Sequence, residues 1–190
     1  RVALHVGHLN RNRNVQVLGA LQRQDGVQAM LLASTSTRND PVLADELRAA
    51  GVRVVTQTLP DPESVYRLAD LYVFPCSPDR PAHRTPAVEI PLSVLEAMAC
   101  DLPVAVTRFG GLPDLFEAGS GVTFVEHPES SDDWCCAARA ALTCGRGLGG
   151  GCHVRRADGS AGPPPGGDLE LARLSCGLLQ ATCRPRGAAI

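Results

Sequence analysis

Six short apolar runs constrain this chain more than any other feature: Val2 to Val6, Val27 to Ala33, Val52 to Val55, Ala69 to Pro75, Pro103 to Thr107 and Val122 to Val125. Strands buried on both faces read as such near-continuous runs, without the alternation of a half-exposed sheet. Between them lie segments of helical period. The first carries Val15, Val17, Leu18 and Leu21, and the second spans Asp40 to Ala50, with Asn39 or Asp40 as cap and Gly51 as stop. Others are Pro62 to Leu68, the stretch opened by Pro91, Pro113 to Ala118 before Gly119 and Gly121, and Asp132 to Leu142 with Trp134. Strand and helix in alternation predict an α/β fold, a parallel sheet with helices on both faces. In such sheets ligands bind outside the carboxyl ends of the strands. Gly7, Cys76, the loop before Pro91 and the Gly110-Gly111 turn all fall at those ends.

The stretch Glu89-Ile-Pro-Leu-Ser-Val-Leu-Glu-Ala-Met-Ala-Cys100 holds the densest chemistry. Pro91 fits the first helical position, where its missing N–H costs nothing. Leu92, Leu95 and Ala99 recur at helical spacing and predict the buried face. Ser93 falls in the first turn, among amides that have no partner inside the helix. Glu96 lies between apolar residues, where a carboxylate is costly to bury unless something bonds to it. Glu89 precedes the helix, because Ile90, the residue before Pro91, is biased away from the α region. A loop carboxylate, a helix carboxylate and bare amides between them suit an anionic ligand that carries hydroxyls, such as a nucleotide sugar. The same elements also occur on solvated faces of α/β proteins. Near the N-terminus the order strand, Gly7, basic loop, helix is the one that places a phosphate at a helix start. The segment that follows Gly7 carries neither a G-x-G-x-x-G nor a Walker pattern, which weakens dinucleotide and P-loop readings.

Several of these motifs together resemble the donor-binding half of GT-B glycosyltransferases, specifically the retaining family 4 group. The matching residues are Pro91 to Glu96, Ala97-Met98-Ala99, Pro103-Val104 and Gly110-Gly111-Leu112-Pro113, in order and at consistent spacing. Ala69-Asp-Leu-Tyr-Val-Phe-Pro75 also matches, with Cys76 where the family usually has Ser. The resemblance implies a Rossmann-like domain that binds a nucleotide-diphosphate sugar and transfers the sugar to an acceptor with retention. It implies that Glu89 and Glu96 are the catalytic-site carboxylates. Gly7 and Arg13 would meet the donor diphosphate, Arg13 standing for the commoner Lys, and Leu92, Ser93, Gly110 and Gly111 would cradle it. Glu96 would bond ribose hydroxyls, and Glu89 would meet the donor sugar or the phosphate region. The family's two Glu usually enclose seven residues. Here Glu89 and Glu96 enclose six, with Val88 in the usual register. No cofactor or metal is expected, because Arg13 and helix amides can stabilise the leaving charge. The implied partners are the nucleotide sugar, an acceptor and an N-terminal acceptor-binding domain that this chain does not contain. The alternatives are a non-catalytic nucleotide-binding or flavodoxin-like regulatory module and a sugar-nucleotide epimerase of the same architecture.

Composition excludes other classes. A formal net charge of -2 argues against an electrostatic nucleic-acid binder. No apolar run approaches membrane-span length and no signal-peptide layout opens the chain, so a cytoplasmic protein is expected, peripheral at a membrane in its full-length form. The opening on Arg1-Val-Ala-Leu-His-Val, already a strand, reads as a piece of something longer. All 18 basic residues are Arg, a bias that suggests GC-rich coding sequence. None of the 8 Cys forms a C-x-x-C pair, and Cys152-His153 is the nearest approach to a metal pair. The donor-binding domain is expected over residues 1–143. From 144 to 190 the character changes: 11 of the 19 Gly fall there, and Gly145 to Gly151 and Ser160 to Gly167 have no periodicity. That tail is expected to be irregular, and a reading-frame error is one possible origin.

Overall fold

The computed structural model describes residues 1–34, 39–57, 61, 63–77, 90–119, 121–144, 154–155 and 161–162. Six parallel strands form the sheet: β1 (Val2–Gly7), β2 (Gln28–Ala33), β3 (Arg53–Val55), β4 (Leu71–Phe74), β5 (Val104–Thr107) and β6 (Val122–Val125). Their order is β3-β2-β1-β4-β5-β6, so the direction of winding reverses between β1 and β4. The helices are α1 (Val17–Gln22), α2 (Pro41–Ala49), α3 (Glu63–Leu68), α4 (Leu92–Ala99), α5 (Leu112–Leu115) and α6 (Ser131–Cys144). A 3-10 turn, Arg11–Arg13, joins β1 to α1. This is the Rossmann-like sheet expected from the alternation.

Both faces are covered. Side chains of α1, α2 and α6 bury one face against Ala3, Leu31, Val73 and Ala105, with Trp134 fully buried among them. Val65, Tyr66, Val94, Ala97, Leu112 and Phe116 from the α3, α4 and α5 side cover Leu4, Tyr72, Val104 and Val106. Burying each large apolar side chain contributes about 1.5–3 kcal/mol. Local signals agree with the packing. Asp40 caps α2 by accepting from the Leu43 amide at 3.0 Å, with Pro41 just inside the helix. Asp70 ends the α3–β4 connection and accepts the Val2 amide at 2.9 Å, which shortens β4 relative to the expected Ala69 start.

The helix α4 departs from the sequence reading in two ways. Pro91 is its cap, with ψ of 118°, and the helix opens one residue later at Leu92. Its buried stripe is Val94, Ala97 and Ala99, whereas Leu92 is 65% exposed and Leu95 only partly covered. Helical period gives several possible stripes, and the one chosen is the one that lies over β4 and β5. Beyond Cys144, Val154–Arg155 and Ala161–Gly162 pair antiparallel. The rest of the 144–190 segment lies outside the described residues, as do Glu89, Val88 and the Cys152-His153 pair. Among the described residues no helix is long and apolar enough to cross a membrane.

Candidate functional site

The site is built at the carboxyl ends of β1 and β4, where the winding reverses. Open α/β sheets leave a crevice at such a point. Gly7 closes β1, and the chain then turns through Asn10 to Asn14. The Asn10 side chain accepts from the Arg13 amide at 3.1 Å, and Asn14 ends the turn in the left-handed region at φ 55°. The Asn14 side-chain Nδ2 donates to the Pro128 carbonyl at 2.7 Å, and Trp134 Nε1 donates to that same carbonyl at 2.9 Å. The turn carrying Arg13 is therefore tied to the loop between β6 and α6.

Arg13 is half-buried, and its guanidinium reaches Cys76 Sγ at 3.8 Å, just past the end of β4. Among the described residues no carboxylate pairs with it, whereas Arg1, Arg11, Arg48, Arg67 and Arg108 all have acidic partners. Burial pushes the Cys76 thiol up, against the opposing pull of the Arg13 charge. Burial also lowers His8, with Arg13 acting in the same direction. Thr107, at the end of β5, donates its hydroxyl to the Cys76 carbonyl and fixes the neighbouring strand end.

The second half of the site is the start of α4. Pro91 supplies no side-chain cap; its carbonyl accepts from the Val94 amide at 3.1 Å, and no cap side chain bonds the Leu92 and Ser93 amides. Ser93 and Glu96 stand three residues apart and so share a helix face. The buried Tyr72 hydroxyl donates to the Val6 carbonyl at 3.1 Å and is hydrogen-bonded by Ser93. Glu96 accepts the Tyr66 hydroxyl at 2.6 Å on Oε2. Tyr72 therefore links the end of β1 to the first turn of α4. Arg13 thus meets the end of β4 through Cys76, Ser93 meets Tyr72 and Glu96 meets Tyr66, with Leu92 exposed at the helix start.

Gly110 and Gly111 form the next turn along the edge. Gly110 has φ 53°, a conformation that favours glycine, and Gly111 caps the four-residue α5. Phe109 meets Phe74 edge-on at 5.4 Å, which sets this turn beside the end of β4. Arg108 pairs with Glu126 at 2.7 Å and lies 4.8 Å from the Phe124 ring centre. Glu89, the other candidate carboxylate, lies outside the described residues.

Sequence reasoning missed Tyr66, Tyr72 and His5. His5 is buried, and its Nδ1–H donates to the Val73 carbonyl at 2.9 Å. Among the described residues its Nε2 has no hydrogen-bond partner. Burial lowers its pKa to about 4, with the nearby Arg13 and His8 charges in the same direction and the Val73 bond opposing. A lone polar residue inside an apolar run was the available signal for His5.

The family profile Glycosyl transferases group 1 matches residues 1–143. The chain belongs to the group 1 glycosyltransferases. No curated protein matches it in sequence. Among solved structures it is similar to sucrose-phosphate synthase from Thermosynechococcus elongatus, at TM-score 0.59 and 20% identity over 75% of this chain and 36% of that one. It is similar to the catalytic domain of cholesterol-alpha-glucosyltransferase from Helicobacter pylori, at TM-score 0.52 and 12% identity over 96% and 97% of the two chains. It is also similar to AviGT4, a glycosyltransferase involved in avilamycin A biosynthesis, at TM-score 0.50 and 16% identity over 94% and 46%. The chain spans about a third of the length of the sucrose-phosphate synthase chain it matches. At these identities the likeness is one of fold, the Rossmann-like architecture of GT-B glycosyltransferases.

Proposed function

We propose that residues 1–143 are the donor-binding domain of a retaining, family 4-type glycosyltransferase that takes a nucleotide-diphosphate sugar. The observation that carries this reading is the half-buried Arg13 guanidinium, which has no carboxylate partner among the described residues and stands where the sheet reverses direction. A cation held there beside uncapped helix amides suits a diphosphate. In the proposed reaction the bond between the anomeric carbon and the diphosphate oxygen breaks, a bond to the acceptor's hydroxyl oxygen forms on the same face, and the hydroxyl proton passes to the departing diphosphate. Arg13 and the Leu92 and Ser93 amides take up the charge that develops on the leaving diphosphate, so the reading needs no metal ion. The Gly110-Gly111 turn lets the ligand approach the backbone. Glu96 accepts from ribose hydroxyls, and Glu89 meets the donor sugar or phosphate region. A separate acceptor domain completes the cleft, so the isolated chain binds donor without turning it over.

Titration of the chain with UDP-, GDP- and ADP-sugars by calorimetry tests the reading. Saturable one-to-one binding of at least one donor is expected. No binding of any of the three contradicts it.

A further inference from the structure

The bond between Tyr66 and Glu96 is a feature that the donor reading does not use. Tyr66 is 3% exposed, on α3, and its hydroxyl reaches Glu96 on α4. At 2.6 Å the O–H donates to a carboxylate oxygen, the short distance typical of a charge-assisted bond. The Tyr66 ring lies 5.9 Å from the Tyr72 ring, and Tyr72 in turn holds Ser93. Two tyrosines thus anchor the two polar side chains of one helix face, Tyr72 holding Ser93 and Tyr66 holding Glu96. Burial pushes the Tyr66 hydroxyl far up, with Tyr72 and Glu96 acting the same way, so it is a donor at neutral pH. No other described side chain bonds the Glu96 carboxylate, which leaves Oε1 for a ligand.

We propose that Tyr66 is a positioning residue: by occupying Oε2 it fixes the Glu96 carboxylate so that Oε1 accepts from the 2′-hydroxyl side of a nucleoside diphosphate's ribose diol. The proposal rests on the donor reading above. An untethered Glu on a helix samples several rotamers, and ordering it on binding costs free energy that the Tyr66 bond removes in advance. The tyrosine ring would pack equally well as phenylalanine, so the hydroxyl is the part with a task.

The test compares the full chain with its Tyr66→Phe variant by calorimetry, using UDP, GDP and ADP and their 2′-deoxy forms. Loss of the positioning bond should weaken the best-binding ribonucleoside diphosphate by about tenfold, the order of one hydrogen bond to a charged group. It should weaken the 2′-deoxy form by less than about threefold, because the hydroxyl that Glu96 would accept is missing. In a Glu96→Gln background the Tyr66→Phe change should alter ribonucleotide binding by less than about twofold, as expected when the two act as one unit. A merely structural role would weaken both ligand forms alike. Equal weakening of both, or none, overturns the role of Tyr66 while leaving the donor site standing. If the parent chain binds none of the three diphosphates, the donor reading falls and this proposal falls with it.

Discussion

A methyl group at Gly7 would lie 2.9 Å from Nε2 of His5, two residues back on the same strand. The space beside Gly7 is therefore filled from within the sheet by the imidazole. That ring is held by the Val73 carbonyl, so it has little freedom to yield. Glycine at this strand end is required by the fold, whatever ligand lies above it.

Gly7→Ala is expected to destabilise the chain by about 1–3 kcal/mol, the usual cost of overpacking. Urea unfolding of Gly7→Ala in the parent and in a His5→Ala background measures it. The cost should shrink in the second background, because the atom that clashes is gone. An equal cost in both would place the strain elsewhere.

The same histidine predicts an acid dependence. Its folded-state pKa is lowered from 6.5 to about 4, so the unfolded chain binds the proton more tightly. The stability that neutral His5 contributes is complete above pH 6.5, declines as pH falls below 6.5, and is lost by about pH 4. The total is about 3 kcal/mol, at 1.36 kcal/mol per pKa unit. Urea midpoints measured from pH 7 to pH 4 should fall more steeply for the parent than for His5→Asn. Parallel curves would contradict the assignment.

The turn that carries Arg13 depends on Asn14. Its positive φ and its bond to the Pro128 carbonyl make two separate contributions. Asn14→Gly keeps the backbone conformation and loses only the hydrogen bonds, about 1 kcal/mol. Asn14→Ala also meets the left-handed penalty of roughly 1–2 kcal/mol and should be the less stable of the two. Thermal unfolding of the pair orders them, and the reverse order would be inconsistent with this turn geometry.

The two candidate carboxylates should differ. Glu96 sits on a helix with its direction set by Tyr66. Glu96→Gln is therefore expected to weaken donor binding about tenfold, since roughly 1.4 kcal/mol is tenfold. Glu89→Gln, displaced by one residue from the family register, should weaken it less. Calorimetric titration of both variants decides, and a larger loss for Glu89→Gln would mean that the displaced register has moved the site.

Much of the fold was legible in the sequence because buried parallel strands leave an unambiguous apolar run. Val104 to Thr107 and Val122 to Val125 needed no tertiary information. The boundary of β4 was less legible, because Asp70 is used for capping Val2 and that pairing spans 68 residues. Leu92 was misassigned to the core because period alone does not say where the sheet ends. Strand-end placement and resemblance single out Arg13, Ser93 and the Gly110-Gly111 turn, and the structure sets Arg13 and that turn beside the end of β4. Tyr66 was not, because its link to Glu96 joins residues 30 apart on separate helices and follows from the strand order. His5 reads in sequence as one polar residue in an apolar run, and only packing reveals the proximity to Gly7.

The central claim is that Arg13 binds the diphosphate of a nucleotide donor at the β1–β4 switch point. The most direct measurement is calorimetric titration of the parent and Arg13→Gln with UDP, GDP and ADP and with the corresponding plain nucleosides. Because no described carboxylate pairs with Arg13, the substitution should leave unfolding stability within about 0.5 kcal/mol. The account predicts about tenfold or greater loss of affinity for the best-binding diphosphate and no change for its nucleoside. Undiminished diphosphate binding by Arg13→Gln would contradict it.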